Sequence, residues 1–168
     1  MENDEQFENV PQHRPVFLKV LCILTFIGSG YGIINSAVTY FKANEIAGMV
    51  AEAKTKMYED QKNVKNPESK NMVSKIMNNM SVISTPENLR KTAIGNIITS
   101  VLCLLGAVLM WNLLRAGFYI YTLGTIIGII LPFYMFGNNF ITNISAGFLS
   151  FIGILFVIFY AMNIKSMK

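Results

Sequence analysis

Long apolar runs separated by polar segments dominate the chain. Residues 92–162 carry one formal charge, Arg115, and are otherwise almost wholly apolar with a few Ser, Thr and Asn. A second run, residues 20–41, carries no charge. Because a helix rises 1.5 Å per residue, about 20 apolar residues cross about 30 Å of hydrocarbon. The pattern predicts four membrane-spanning helices at about 17–41, 92–114, 117–136 and 142–162.

Local residue signals place the ends of these spans. Thr85, Pro86 and Glu87 form a helix start, with a capping hydroxyl, a proline at the first position and an acid in the first turn. Gly117 follows the second span so closely that only a short turn fits, which predicts a tight antiparallel helix pair. Pro132 predicts a kink or an end near the close of the third span.

Aromatic residues surround the predicted turn between the second and third spans. Tyrosine and tryptophan rings are amphipathic and are enriched at the headgroup level of membranes. We therefore expect an aromatic belt at the membrane surface, formed by Trp111, Phe118, Tyr119 and Tyr121.

The distribution of charge supports a membrane domain. Only 14% of residues are charged, against about 25% in globular proteins, and these charges gather near the two termini and in residues 42–91. We predict a polar, disordered tail at 1–15 and an all-α membrane domain at 16–168, organised as a four-helix bundle in the lipid bilayer. The net charge of +4 is small and dispersed, which argues against a nucleic-acid partner.

Residues 42–91 form the one long polar segment, between the first and second spans. Apolar residues recur at helical spacing in both halves, and Asn66 and Pro67 resemble a helix start. We predict a helical extramembrane hairpin whose apolar stripes are covered by each other, by the membrane surface or by a protein partner. Methionine suits adaptable surfaces and gap filling, and thioether clusters also bind Cu(I). The candidate interaction surface comprises Met49, Met57, Met72, Met77 and Met80.

Small and polar residues recur at helical spacing inside the spans. Small residues four apart let two helix backbones approach closely, and amide or hydroxyl groups bond between helices. These residues predict helix packing within the bundle, with a homo-oligomer seam or a ligand pathway as alternatives. The candidate helix-packing residues are Gly28, Gly32, Ser36, Asn96, Ser100, Gly124 and Gly128.

The topology follows from the number of spans and the basic residues. The first apolar run is longer than a signal-peptide core of about 7–15 residues, so an uncleaved anchor is favoured. Four spans place both termini on one side, and the terminal Lys and Arg favour cytoplasmic termini in the cell membrane. Nine basic residues in 42–91, offset by six acids, oppose this orientation.

The sequence contains no motif that points to catalysis. No GxSxG, HExxH or Walker loop occurs, and Cys22, Cys103 and His13 do not form a zinc-ligand cluster. We therefore expect neither an enzyme nor a cofactor. The favoured interpretation is a non-catalytic accessory, sensing or interaction protein. The alternative is an oligomeric pore or small-solute transporter lined by a polar stripe around Asn96.

Two stretches carry a resemblance to known sequences. The runs RPVFLKVLCILTFIGSG at 14–30 and GFYIY at 117–121 resemble small four-helix bacterial membrane proteins of no assigned activity. The resemblance covers the first three spans and the turn between the second and third, but not 42–91. It implies cytoplasmic termini and brings no site residues with it.

Overall fold

The computed structural model describes residues 15–61, 67–137 and 140–167, and this part of the chain is helical without strands. Residues 1–14 of the predicted tail, the predicted cap Asn66, and Asn138 and Asn139 lie outside the described residues. The elements are α1 (Val16–Phe41), α2 (Ala43–Gln61), α3 (Pro67–Ile83), α4 (Pro86–Trp111), α5 (Ala116–Phe136), α6 (Phe140–Met162) and a 3₁₀ helix (Ile164–Ser166).

Four of the described helices are long and apolar enough to cross a membrane. These segments are Val16–Phe41, Pro86–Trp111, Ala116–Phe136 and Thr142–Met162. The predictions of an all-helical fold and of four long apolar helices are therefore confirmed for the described residues, and they support a multi-pass membrane protein. Segment 42–91 is helical where it is described, because α2 and α3 occupy most of it.

The N-terminus of α4 has the predicted capping arrangement. The hydroxyl of Thr85 accepts a hydrogen bond from the backbone N–H of Asn88 at 3.3 Å, and Pro86 occupies the first helical position. Lys91 pairs with Glu87 one turn earlier at 2.6 Å. The helix thus begins ahead of the apolar stretch, at Pro86, and continues into it without a break.

The other end of α4 differs from the prediction, because the helix ends at Trp111 rather than near 114. Leu113 has a positive φ of 61°, and its N–H bonds to the carbonyl of Met110 at 2.9 Å. The N–H of Leu114 bonds back to the carbonyl of Leu109 at 3.0 Å. These two hydrogen bonds form a Schellman motif, which normally has glycine at the position that Leu113 occupies.

Pro132 was expected either to kink α5 or to end it, and it does not end the helix. Pro132 lies inside the helix, which continues to Phe136. Gly137, with a φ of 67°, ends it instead. Because glycine lacks a Cβ, it adopts this left-handed conformation without steric cost.

Helix α4 occupies the centre of the packing. It packs along α1 on one side and α5 on the other, while α5 also packs on α6. Between α4 and α5, Gly106 and Gly117 allow backbone contact: a Cβ added to Gly117 would lie 2.5 Å from the carbonyl oxygen of Gly106. Helices α2 and α3 contact each other and α4, and α3 also contacts α6.

The buried core lies at the end of the molecule opposite to α2 and α3. There the N-terminal half of α1 meets the turn between α4 and α5 and the C-terminal half of α6. The Nε of Arg115 donates to the carbonyl oxygen of Met167 at 2.8 Å, which holds the last described residue against this turn. The cluster comprises Leu18, Leu21, Cys22, Met110, Leu113, Tyr121, Tyr160 and Met167.

Tyr121 corrects the expected aromatic belt. It is only 7% exposed, and its ring packs against Tyr160 with centroids 4.9 Å apart. Tyr119 is 66% exposed, as the belt requires. Tyr121 is two residues further along α5, so its side chain faces the interior rather than the helix surface.

Candidate functional site: a polar cavity between the apolar helices

A cavity of about 350 Å³ lies between α1, α4, α5 and α6. Its lining residues occupy the middle part of α4, α5 and α6 and the C-terminal half of α1, and they include amides and hydroxyls. Such groups are costly in hydrocarbon unless they are hydrogen-bonded. The lining residues are Gly32, Asn35, Ser36, Asn96, Thr99, Ser100, Cys103, Tyr121, Thr125, Gly128, Ile129, Leu149, Ile152 and Gly153.

A second lobe of about 240 Å³ adjoins the first. The two lobes share five lining residues, so they belong to one cavity that continues towards the buried core. None of the described residues that line either lobe is charged. The second lobe is lined by Leu24, Thr25, Gly28, Ser29, Thr99, Ser100, Cys103, Tyr121, Ile152 and Phe156.

Two buried serines of α1 line this cavity. Ser36 is 4% exposed and Ser29 is 8% exposed, and each lines one lobe. Within the described part of the chain, neither hydroxyl makes a hydrogen bond. Thr99 behaves differently, because its hydroxyl donates to the carbonyl of Gly95 at 3.0 Å in its own helix. The serine hydroxyls are therefore available to a molecule in the cavity.

Two amides face the same lobe. Asn35 of α1 and Asn96 of α4 both line it, and both side chains are exposed. In the described structure neither side chain has a hydrogen-bond partner. Each amide supplies two donor hydrogens and an acceptor oxygen. The cavity can therefore donate and accept hydrogen bonds without carrying a charge.

A layer of hydrogen-bonded and stacked side chains separates the cavity from the core. The hydroxyls of Thr25 and Tyr160 are 2.8 Å apart and join α1 to α6. Tyr121 packs its ring against Tyr160 from α5. Because these three residues belong to three helices, they fix the end of the cavity and close it on the side of the core.

Helices α1 and α6 diverge beyond this layer. They make few contacts, which include the Thr25–Tyr160 bond and the ring contact of Phe17 with Phe159. Leu24, next to Thr25 on α1, is 50% exposed and lines the smaller lobe, and Leu149, about three turns before Tyr160 on α6, is 58% exposed and lines the larger lobe. The gap between α1 and α6 therefore has an apolar, exposed rim.

Most of the candidate packing residues of the sequence come together here. Gly28, Gly32, Ser36, Asn96, Ser100 and Gly128 all line the cavity. Gly124 lies beside it, where an added Cβ would be 3.1 Å from the sulfur of Cys103.

The glycines in this set have different surroundings. An added Cβ at Gly32 would lie 2.7 Å from the hydroxyl oxygen of Ser100, and one at Gly128 would lie 2.8 Å from Thr99. At Gly28 it would meet nothing within 4 Å. Gly32 and Gly128 thus allow close helix approach, whereas Gly28 leaves open space in the cavity. The role of this set as an oligomer seam remains a prediction.

The sequence interpretation missed several lining residues. Thr25 and Ser29 are four apart on α1, in phase with the small-residue stripe, so the same periodicity could have identified them. Asn35, beside Ser36, and Thr125, one turn after Tyr121, also line the cavity. The sequence pattern alone cannot show that Asn35 and Thr125 line a cavity, because the helix that each residue faces is set by tertiary packing.

The methionines of 42–91 do not share one exposed surface. Met49, Met57 and Met72 are exposed, at 58%, 41% and 55%. Met80 is half-buried and Met77 is fully buried. In this structure, a docking surface on α2 and α3 would therefore include three exposed methionines. Met77 contributes to internal packing instead.

Comparisons with family models, with curated proteins and with solved structures found no match. Among the described residues, no three His, Cys, Asp or Glu side chains lie together as metal ligands. The functional assignment therefore depends on the chemistry of the cavity.

Proposed function

We propose that this chain is a non-catalytic sensing or accessory protein of the membrane, which binds an uncharged molecule in the cavity between its apolar helices. The observation that carries the proposal is Ser36, a residue only 4% exposed, which lines the cavity and whose hydroxyl makes no hydrogen bond within the described residues. Asn96 and Ser100 contribute further polar groups on the facing helix. A bound hydrogen-bonding molecule would satisfy all three.

The absence of charge from the described lining favours binding over catalysis. General acid–base chemistry normally uses a titratable group positioned at the reacting atom. The titratable side chains of the described lining are Cys103 and Tyr121, and Tyr121 is packed against Tyr160. Hydroxyls and amides, by contrast, suffice to recognise an uncharged polar group.

The membrane arrangement that we propose is a four-helix bundle of α1, α4, α5 and α6 in the cell membrane, with cytoplasmic termini. Helices α2 and α3 form an extramembrane hairpin at the end of the bundle opposite to the buried core. Their contacts with α4 and α6 connect the hairpin to two helices of the cavity wall. A protein partner on the exposed methionines could thereby respond to occupancy of the cavity.

A transporter of small uncharged solutes is the second candidate. The position of Asn96 favours it over an oligomeric pore, because Asn96 lines a cavity formed by helices of one chain. Binding sites near the middle of the membrane are typical of transporters. Flux of labelled glycerol into proteoliposomes would support transport, and tight binding without flux would support sensing.

The test compares two adjacent positions on α4 by cysteine reactivity. Ser100 lines the cavity, whereas its neighbour Val101 is 38% exposed and does not line it. Each is changed to Cys in a Cys22→Ala, Cys103→Ala background and treated in membranes with a small hydrophilic methanethiosulfonate. Because the two residues are at the same depth, only the environment of the side chain differs.

We expect Ser100→Cys to react and Val101→Cys to remain unmodified. The reagent needs a thiolate, which forms only where water or polar groups reach the sulfur. Equal inertness of the two variants would refute a polar cavity at this depth. Equal reactivity would mean that the α4 surface is not lipid-facing, which would contradict the proposed arrangement.

A further inference from the structure

We infer that the occupant of the cavity is a single-chain membrane amphiphile with an uncharged, hydroxyl-bearing head, which enters between α1 and α6. This inference rests on the proposed binding function. It adds the chemical class of the ligand and its route of entry. Three features of the cavity carry it: the polar wall, the apolar wall and the lateral gap.

The polar wall selects the head. Ser36 comes from α1, and Asn96 and Ser100 come from α4, so hydrogen-bonding groups of two helices line the larger lobe. All are uncharged, and no described lining residue could pair with an ionic head. An unpaired charge is costly to place within the membrane, so a hydroxyl-bearing head fits this wall and a carboxylate does not.

The apolar wall accommodates a chain. Helix α6 contributes Leu149, Ile152 and Phe156, and α1 contributes Leu24 at the rim. A soluble polyol would leave these side chains without an apolar partner. An acyl chain would contact them and continue between α1 and α6 into the surrounding hydrocarbon.

The lateral gap sets the route. The layer of Thr25, Tyr121 and Tyr160 closes the cavity towards the core. The rim residues Leu24 and Leu149, however, are half-exposed on the lipid-facing surface of the bundle. A molecule that is already in the bilayer therefore reaches the polar wall without crossing water.

The experiment uses the full chain, purified and inserted in phosphatidylcholine nanodiscs. The probe is a monoacylglycerol with a photoreactive diazirine in its acyl chain, and crosslinked peptides are mapped by mass spectrometry. Three competitors are compared: the unlabelled monoacylglycerol, the fatty acid of the same chain, and glycerol. Comparison of these competitors distinguishes an uncharged amphiphile from a charged amphiphile and from the soluble head group alone.

We expect crosslinks on the cavity-lining segments of α1 and α6. The unlabelled monoacylglycerol should compete, the fatty acid should compete at least about tenfold more weakly, and glycerol should not compete. Competition by glycerol at equal potency would assign the cavity to a soluble polyol. Equal competition by the fatty acid would overturn the selection for an uncharged head.

Two glycines of α1 provide a matched pair of variants. A Cβ added at Gly28 or at Gly30 would meet nothing within 4 Å, but only Gly28 lines the cavity. Gly28→Leu should fill the smaller lobe and lower specific crosslinking by about tenfold, equivalent to about 1.4 kcal/mol. Gly30→Leu should leave specific crosslinking unchanged.

Asn96→Leu should weaken binding by about threefold, the effect of one average hydrogen bond in a membrane.

Unchanged crosslinking in Gly28→Leu would show that the probe labels only surrounding lipid, and would overturn the inference. The proposed function has a separate readout in the reactivity of Ser100→Cys. If that position reacts and the amphiphile fails to bind specifically, only the ligand class is wrong. If Ser100→Cys is inert, the binding function itself fails.

Discussion

The substitution Gly106→Ala tests the central helix packing. An added Cβ would lie 2.7 Å from the backbone nitrogen of Tyr121 and 2.9 Å from the carbonyl oxygen of Gly117. Both obstructing atoms are backbone, so no side-chain rotation can make room. The shorter distance is about 0.7 Å below the 3.4 Å at which contact becomes ordinary, so α4 and α5 must separate by about that amount.

The expected cost is that of overpacking a well-packed interior, about 1–3 kcal/mol. Alanine also favours a helix over glycine by about 0.5–1 kcal/mol, which offsets part of this cost. Gly28→Ala is the matched control, because its Cβ meets nothing within 4 Å and it gains the same helix preference. The difference between the two variants therefore isolates the steric cost at the α4–α5 contact.

Reversible unfolding in bicelles by added sodium dodecyl sulfate provides the measurement. Trp111 is the single tryptophan of the chain, and its ring lies 5.9 Å from that of Phe26, so its fluorescence reports the packing of α4 on α1. We expect Gly106→Ala to unfold at lower detergent fraction than wild type, and Gly28→Ala at an equal or higher one. Equal midpoints for the two variants would refute the close packing of α4 and α5.

Three further predictions concern single side-chain contacts. Tyr160→Phe should destabilise the fold by about 0.6–1.7 kcal/mol, the range for a hydrogen bond in a membrane, because Thr25 loses its partner. Arg115→Gln should cost about 1 kcal/mol and increase proteolysis near Met167, whose carbonyl accepts the Arg115 hydrogen bond. Thr85→Ala should cost about 1 kcal/mol by removing the N-cap of α4, measured by the same unfolding titration.

Each of these variants has a control of the same chemistry. Tyr134→Phe changes a tyrosine that is 88% exposed and should be neutral. Arg90→Gln removes an exposed arginine and should not alter C-terminal proteolysis. Thr55→Ala removes a hydroxyl that bonds only to the carbonyl of Ala51 within α2. A control that is as destabilising as its paired variant would contradict the corresponding contact.

The spans and several helix ends could be predicted from the sequence because their causes are local. Twenty uncharged apolar residues suffice to indicate a membrane helix, and Thr85 with Pro86 suffices to indicate a helix start. The end of α4 could not be predicted in this way. Leu113 adopts a left-handed φ without being glycine, and its side chain is only 8% exposed. Its conformation is therefore set by packing at the core, which no local pattern reports.

The cavity was predictable only in part. The four-residue spacing of Asn96 and Ser100 predicted a polar stripe that faces protein, and both residues line the cavity, with Asn96 exposed. The spacing could not show whether the stripe faces another helix of the same chain or a second copy. Tyr121 illustrates the same limit, since its burial depends on Tyr160 from a distant helix. The crossing angles of the helices decide which faces pack together, and the periodicity of a sequence does not reveal those angles.

The most direct test of a polar cavity uses the native thiol of Cys103, which lines both lobes. Its reaction with a small polar methanethiosulfonate is followed by mass spectrometry in membranes for wild type, Gly28→Leu and Gly30→Leu. We expect Cys103 to react in wild type and in Gly30→Leu, and to react several-fold more slowly in Gly28→Leu, whose side chain fills the cavity. Equal rates in all three, or no reaction in wild type, would contradict a polar cavity within the chain.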